Sequence, residues 1–234
     1  MMPNAPQSRL SEVRVLQTLP DRALRSLARR CKWERFRPGE YIVRRHDGDS
    51  DVFFVIEGRV RAIHYLTDRQ VILSEIGPGG HFGEFAAIDD GERSASVVAI
   101  DNCLVARMGA DEFKSLLRRH FDMALAIMRH LVQVIRTSDQ RVADLSALGA
   151  MQRVYGELLR LADPDEDAPG TSWIAPMPSQ SSIAKQVQTT RETVARTLAR
   201  LARDGLIERD AGRLRIMDTA KLKSLIDQLP SGGE

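Results

Sequence analysis

The spacing of apolar residues changes twice along the chain. Over residues 9–30 they recur at helical intervals, at Leu10, Val13, Leu16, Leu19, Leu24, Leu27 and Ala28. From Trp33 to Met108, short runs rich in β-branched and aromatic residues alternate with turn clusters such as "RPGE", "HDGDSD" and "GPGG". Helical spacing returns after Gly109. This order predicts a β domain, a long helix and a small helical domain that ends in a hairpin, "GLIERDAGRLRIM".

The predicted strands lie in the runs "EYIVRR", "DVFFVIEGRVRAIHYL", "RQVILSEI", "SASVVAI" and "CLVARM". Short strands at intervals of about ten residues, separated by turn residues, are typical of barrels and sandwiches. The middle of the chain is therefore expected to be an all-β barrel or sandwich, with helices only before and after it.

A single long helix is predicted over residues 121–148. Its apolar positions follow the 3-4 repeat of a coiled-coil seam, at Phe121, Ala124, Met128, Leu131, Ile135, Ser138, Val142 and Leu145. The repeat predicts a homodimer, although a helix packed on its own domain can show similar spacing. Ser138 interrupts the apolar seam, and Thr137 precedes it. A seam hydroxyl needs a partner, which could be the facing helix, water or a ligand.

The segment "PSQSSIAKQVQTTRETVARTLARL" predicts two short helices. Ser179 suits the N-cap of the first helix, and Thr190 suits the N-cap of the second. A separation of about three residues is typical of a helix-turn-helix. Such a turn usually carries a glycine, and here Gln188 or Thr189 must take its place.

The second of these helices carries side chains suited to reading DNA. Arg191, Glu192 and Arg196 lie in its first turns and can all point outward. Arginine pairs with the O6 and N7 atoms of guanine, and a carboxylate accepts from the amino group of cytosine. The other candidate DNA-binding residues are Ser179, Gln180, Thr190 and Thr193. The alternative is a solvated helix face with charge pairs between neighbouring turns.

Composition narrows the functional classes. The 234 residues are 43% hydrophobic and 28% charged, as in ordinary globular proteins, and the net charge of +2 means that a DNA site would depend on local clustering. No apolar run approaches the roughly 20 residues that span a bilayer, and the N-terminus lacks a signal-type apolar core. We therefore expect a cytoplasmic protein with no membrane partner, in which Cys31 and Cys103 are reduced, buried thiols.

The segment "GEFAAIDDGERSAS" combines charge with small residues. It contains Gly83, Glu84, Arg93 and Ser94, together with several alanines that allow close approach to the backbone. An arginine surrounded by backbone N–H groups is a suitable cradle for a phosphodiester, which carries one negative charge. We expect Arg93 to lie near the surface of a loop. The alternative is an ordinary surface ion pair between Glu84 and Arg93.

Together, this segment, the long helix and "TTRETVARTLARL" resemble the cyclic-AMP receptor protein/fumarate-nitrate regulator family of bacterial transcription factors. The resemblance implies that "GEFAAIDDGERSAS" is a phosphate-binding cassette, in which Glu84 accepts from the ribose 2′-hydroxyl and Arg93 pairs with the cyclic phosphate. Ser94 would assist Arg93, and Gly83 and Phe85 would complete the cassette. Thr137 of one subunit and Ser138 of the partner subunit would contact the purine. Cyclic AMP is the expected ligand, and cyclic GMP is the alternative.

The resemblance also implies an α+β architecture and a set of partners. A cyclic-nucleotide-binding β-roll would occupy residues 1–120, a dimerisation helix 121–148, and a winged helix-turn-helix 149–234. The implied partners are a second copy of the chain, double-stranded DNA with palindromic, TGTGA-like half-sites, and RNA polymerase. Gly149 is the expected hinge between the long helix and the DNA-binding domain.

The same sequence argues against cofactor and enzyme functions. No cysteine cluster suits an iron-sulfur centre, and His46, His64 and His81 are expected to be exposed or hydrogen-bonded instead of binding haem or another metal. HExxH, GxSxG and Walker patterns do not occur in the sequence. His81 and Glu84 are close together, but on a predicted loop with no nucleophile. We therefore expect no catalytic residues.

Overall fold

The computed structural model describes residues 9–66, 69–210 and 212–228. The chain forms two compact units, Met1–Val134 and Ile135–Glu234. The boundary between them falls inside the long helix, whereas the predicted regions place the whole of that helix between two domains.

The first unit confirms the predicted β domain and adds a short helix within it. Its helices are α1 (Asp21–Arg30), α2 (Glu84–Asp89), α3 (Ala110–Arg119) and the first part of α4 (Phe121–Ala147). Its strands are β1 (Lys32–Phe36), β2 (Tyr41–Val43), β3 (Val52–Glu57), β4 (Val60–Leu66), β5 (Arg69–Ile76), β6 (His81–Phe82), β7 (Ser96–Ala99) and β8 (Cys103–Met108). All five predicted strand runs contain strands, the run "DVFFVIEGRVRAIHYL" forms both β3 and β4, and β1 and β6 are additional strands.

Two antiparallel sheets form the β-roll, in the orders β1-β8-β3-β6 and β2-β7-β4-β5. The apolar core of the β-roll has two parts, one on each side of β3. Both faces of this strand are buried. Phe53 and Val55 belong to the cluster that contains residues of both sheets. Phe54 and Ile56 belong to the cluster formed with the flanking helices. The β-roll therefore has one core between its sheets and another beneath its helices, as the alternating directions of strand side chains require.

The prediction that residues 9–30 are helical is wrong for residues 11–20. Residues 11–20 form turns and a short 3₁₀ helix (Arg14–Leu16), and α1 begins only after Pro20. Proline has no N–H to donate and sits at the N-cap of α1. The apolar residues of this turn are nevertheless buried in the core beneath the helices, at Leu10, Val13, Val15, Leu16 and Leu19. Their helix-like spacing therefore reflects burial of a compact turn.

The second unit contains the rest of α4 and a winged helix-turn-helix. Its further helices are α5 (Ala150–Leu161), α6 (Gln180–Gln186), α7 (Arg191–Arg203) and α8 (Thr219–Gln228). Strands β9 (Asp163–Pro164), β10 (Ser172–Ile174), β11 (Ile207–Asp210) and β12 (Arg213–Ile216) form one sheet in the order β11-β12-β10-β9. The predicted hairpin is β11–β12, although Ala211 at its tip lies outside the described residues. The predicted fold class is confirmed.

Helix α4 has one face packed on the β-roll and another that is exposed in the single chain. Met123 and Ile127 are buried among residues of the first unit. The predicted seam residues include several large apolar side chains that are exposed, at Phe121, Met128, Ile135, Val142 and Leu145. At these positions the single chain therefore does not show the alternative, in which the seam packs on its own domain. Among the described residues, no helix is both long enough and apolar enough to span a bilayer.

A network of buried charges fixes the end of α4 within the second unit. Arg160 donates from Nη1 to Asp144 at 2.7 Å and from Nε to Glu157 at 3.0 Å, and Arg141 lies 3.3 Å from the carboxylate of Glu157. The Glu157 carboxylate is almost fully buried, so these partners satisfy a charge that would be costly alone. Gly149 is the N-cap of α5 and has an ordinary φ of −67°. A hinge at Gly149 therefore does not need a backbone conformation that only glycine adopts readily.

Candidate ligand-binding and DNA-binding sites

The predicted cassette begins with a left-handed glycine and a helix. Gly83 has φ +88° and is the N-cap of α2, so Glu84 starts a helix and is not in the predicted loop. A Cβ atom at Gly83 would lie 2.6 Å from the carbonyl oxygen of Asp51 and 2.7 Å from Nη1 of Arg93. Both the backbone conformation and the lack of space therefore require glycine here.

Arg93 is held inside the β-roll by three acceptors. Its Nε donates to Oδ1 of Asp49 at 2.9 Å, Nη1 to the carbonyl oxygen of Gly83 at 3.1 Å, and Nη2 to the carbonyl oxygen of Asp51 at 2.8 Å. These bonds place the guanidinium next to the start of α2. The structure thus brings together the two ends of the predicted cassette, Gly83 and Arg93.

The expectation that Arg93 lies near the surface is wrong. The residue is only 3% exposed, because its fork is turned toward Asp49 and the backbone. Asp49 is also bound by Arg107, whose Nη2 lies 3.2 Å from the carboxylate. The sequence patterns did not point to Asp49, Asp51 or Arg107 as site residues. The clustered aspartates of "HDGDSD" could have pointed to Asp49 and Asp51, because carboxylates close together can pair with an arginine. The segment was interpreted only as a turn.

The remaining cassette residues differ in accessibility. Glu84 is buried, and its carboxylate lies 3.7 Å from Nε2 of His130 on α4. Ser94 and Phe85 are exposed. Thr137 and Ser138 lie on α4 in the second unit, where Thr137 is half-buried and Ser138 is exposed. Their predicted contact with a purine stays a prediction.

The two helix caps of the helix-turn-helix have the predicted geometry. The hydroxyl of Ser179 accepts from the backbone N–H of Ser182 at 3.1 Å, and the hydroxyl of Thr190 accepts from the N–H of Thr193 at 3.1 Å. Each bond satisfies one of the N–H groups that a helix start leaves unpaired. Gln188 adopts φ +51° in the turn, so it takes the place of the usual glycine as expected.

The predicted base-reading side chains are free to meet a large partner. Arg191, Glu192 and Arg196 are all exposed on the first turns of α7. Its opposite face is buried in the core of the second unit through Val194, Leu198 and Leu201. Of the other candidates, Gln180 and Thr193 are half-buried at the starts of α6 and α7. Helix α7 therefore presents cationic and anionic side chains near its N-terminus, the end that enters the major groove in this motif.

Comparison with known proteins assigns a family to two parts of the chain. Residues 33–120 match the family of cyclic nucleotide-binding domains, and residues 152–225 match the family of Crp-like helix-turn-helix domains. This pair of domains defines the class, a DNA-binding transcription regulator with a cyclic-nucleotide-binding domain. The chain belongs to the cyclic-AMP receptor protein/fumarate-nitrate regulator family, as its resemblance implied, and this is a family of regulators and not of enzymes.

Three of the similar proteins match most of this chain and most of their own length. The cyclic AMP receptor protein of Thermus thermophilus is 28% identical over 80% of this chain and 84% of its own. A CRP-like cAMP-activated global transcriptional regulator of Mycobacterium tuberculosis is 25% identical over 91% of this chain and 96% of its own. A mutant of CooA from Carboxydothermus hydrogenoformans superimposes with a TM-score of 0.72 at 19% identity, over 86% of this chain and 89% of its own. This last likeness concerns the fold alone.

Proposed function

We propose that this protein is a homodimeric regulator whose sequence-specific DNA binding is gated by a cyclic nucleotide, with cyclic AMP favoured over cyclic GMP. The observation that supports this most is the convergence of Gly83, Glu84 and Arg93 at the start of α2. A guanidinium beside a helix start suits a phosphodiester, and a nearby carboxylate suits a ribose hydroxyl. In the cytoplasm, the DNA-bound dimer would act on RNA polymerase.

The Arg93 contacts suggest how the cassette would respond to a phosphate. The guanidinium is already bonded to Asp49 and to two carbonyl oxygens, so the phosphate must replace at least one of these acceptors. Asp49 keeps Arg107 as a partner when Arg93 leaves it. The exchange therefore does not leave an unpaired carboxylate, and it gives the nucleotide a differential affinity for two arrangements of the cassette.

Cyclic AMP is favoured because the relatives from Thermus thermophilus and Mycobacterium tuberculosis are named for it. The proposed purine contacts, Thr137 and Ser138, do not decide between the bases, since each hydroxyl can donate and accept. Parallel calorimetric titrations of the full chain with cyclic AMP and cyclic GMP test the ligand. Tighter binding of cyclic AMP is expected. If the protein binds its operator but neither nucleotide, the proposal of nucleotide gating is overturned.

The exposed apolar positions of α4 support the homodimer. A row of large apolar side chains at 3-4 spacing is costly in water and is covered when two such helices pack in parallel. A two-fold dimer would bind a palindromic operator with half-sites about 34 Å apart. The TGTGA-like half-site is part of this proposal, through Arg191, Glu192 and Arg196.

Ser138→Ala should weaken the coupling between nucleotide and DNA more than it weakens nucleotide binding. The cassette contacts are local to the β-roll, whereas the proposed contact of Ser138 exists only when both long helices are in register. We expect nucleotide affinity to fall by less than about tenfold, the equivalent of one neutral hydrogen bond. The ratio of operator affinities with and without nucleotide should fall further.

Calorimetry and operator titrations on the same preparations measure both quantities. Ser146→Ala is the matched control, because Ser146 is another exposed serine of α4, whose hydroxyl donates to the carbonyl oxygen of Val142. An unchanged ratio of operator affinities in Ser138→Ala would assign this residue a structural role and place the switch elsewhere.

Alanine at Arg191 or Arg196 should lower specific operator affinity by roughly 1–3 kcal/mol and relax the preference at one or two base pairs of each half-site. Glu192→Ala should relax a cytosine preference more than it lowers affinity. Selection of binding sites from a random pool, followed by footprinting, measures these preferences. Arg203→Ala is the control, because Arg203 is an exposed arginine in the last turn of α7. Unchanged base preferences in all three variants would show that α7 is not the reader.

A further inference from the structure

Three potential metal ligands meet in the first unit at the start of α2. His81 comes from β6, Glu84 from the first turn of α2, and His130 from α4. One donor atom of each lies within 4.8 Å of the donor atoms of the other two. The two imidazole rings are 4.5 Å apart, and Glu84 lies 3.7 Å from Nε2 of His130. Three elements that are distant in sequence thus place two imidazole nitrogens and one carboxylate oxygen close together.

His81 contradicts the expectation that the histidines are exposed or hydrogen-bonded. It is only 6% exposed, and its Nε2 atom has no hydrogen-bond partner among the described residues. An unpaired buried nitrogen costs free energy unless a partner supplies the missing interaction. An imidazole nitrogen that lacks a hydrogen-bond partner is available to bind a metal ion.

We infer that His81, Glu84 and His130 bind one divalent transition-metal ion per chain. A zinc ion about 2.1 Å from each of three ligands requires donor atoms about 3.4 Å apart in tetrahedral geometry. The observed separations, all within 4.8 Å, exceed this by at most about 1.4 Å, which side-chain rotations can close. His130 is half-exposed, so the ion can be reached from solvent.

The donor set identifies the class of ion. Two imidazoles and one carboxylate suit zinc, iron(II) and cobalt(II), whereas magnesium and calcium prefer sets made only of oxygen. Three protein ligands leave at least one position open for water or another small ligand. Neither cysteine belongs to this cluster, and both are buried elsewhere among the described residues.

The bound ion would join α4 to the β-roll within the first unit. It would also occupy Glu84, the residue proposed to accept from the ribose hydroxyl. This inference goes beyond nucleotide gating and does not depend on it. Metal binding is therefore tested first without any nucleotide, and nucleotide binding is measured separately on the same variants.

Cobalt(II) is the first probe, added to the tag-free full chain after treatment with a chelator. One equivalent should produce visible d–d absorption without the thiolate charge-transfer bands that cysteine ligands would cause. Zinc is then titrated in competition with a chromophoric chelator to obtain its Kd. A cobalt spectrum dominated by thiolate bands, or no stoichiometric binding of either ion, would overturn the inference.

His130→Gln and His81→Gln should each raise the zinc Kd by at least about tenfold, since loss of even an outer-shell partner commonly weakens a site 10–100-fold. His46→Gln and His64→Gln are the matched controls, because His46 is exposed beside Glu92 and His64 lies on β4. Circular dichroism checks each fold, and His130→Gln keeps the test decisive if the buried His81 variant is unstable. Unchanged zinc affinity in His130→Gln, or equal loss in the controls, would refute the site.

Discussion

Arg93→Ala should raise the Kd for cyclic AMP at least about tenfold and also destabilise the β-roll. The first effect follows from the loss of a charge-assisted hydrogen bond, which contributes about 1.5–3 kcal/mol. The second follows because the carbonyl oxygens of Gly83 and Asp51 lose their donor. We expect the free energy of unfolding to fall by about 2–3 kcal/mol, with Arg107 still paired to Asp49.

The loss of nucleotide affinity and the loss of stability can be measured separately, because the tryptophans of the chain report unfolding. The chain has two tryptophans, and Trp33 lies in the first unit, so its fluorescence in a Trp173→Phe background reports urea unfolding of the β-roll. Nucleotide affinity is measured by calorimetry at a temperature where every variant is folded. Arg45→Ala, at an exposed arginine next to β2, should leave both quantities unchanged.

The substitution Asp49→Asn should have the opposite effect on nucleotide affinity. It removes the charge that competes with the phosphate for Arg93 while keeping the shape of the side chain, so nucleotide affinity should rise. Unchanged titration curves in both Arg93→Ala and Asp49→Asn would contradict the cassette assignment.

Ile135→Asp should convert the dimer to a monomer at micromolar concentration. Ile135 is 58% exposed in the single chain and stands in the middle of the seam, where dimerisation would bury two copies of it. An unpaired carboxylate in an apolar interface costs several kcal/mol, so the dimer Kd should rise at least about 100-fold. Sedimentation velocity with cyclic AMP present measures the change. Operator affinity should fall with it, because the half-sites are no longer bound together.

Gln133→Asp is the matched control for the seam. It places the same charge on the exposed side of α4, two residues from Ile135 and away from the 3-4 repeat. This variant should remain a dimer. A dimeric Ile135→Asp protein, or dissociation of both variants alike, would rule out the seam as the interface.

Local patterns were sufficient for much of this architecture. The N-caps Ser179 and Thr190 could be predicted because capping depends only on residues within one helical turn. The turn between the two helices was expected to use Gln188 or Thr189 where glycine is usual, and Gln188 takes the left-handed conformation. The 3-4 repeat of α4 likewise predicted a face that the single chain leaves exposed. In each case, the interactions that set the structure are close together along the chain.

Other features depend on residues that are distant in sequence. The break in the helix predicted over residues 9–30 follows from burial of Leu10, Val13 and Leu16 against the β-roll. Strand β6 is two residues long, too short for any alternation, and exists because β3 pairs with it. Helix α2 arises where Gly83 accepts a left-handed conformation in a space closed by Asp51 and Arg93. No local pattern contains this information.

The sequence by itself determined the order of the elements, the helix caps and the spacing of the seam, because periodicity and capping are read along the chain, and its motifs carried the resemblance to the family. Only the tertiary structure decided the environment of the candidate binding residues. Arg93 is buried because Asp49, 44 residues earlier, comes to lie beside it. His81, Glu84 and His130 form one cluster because β6, α2 and α4 pack at one place. Burial and electrostatic pairing depend on folded distance, which sequence spacing does not specify.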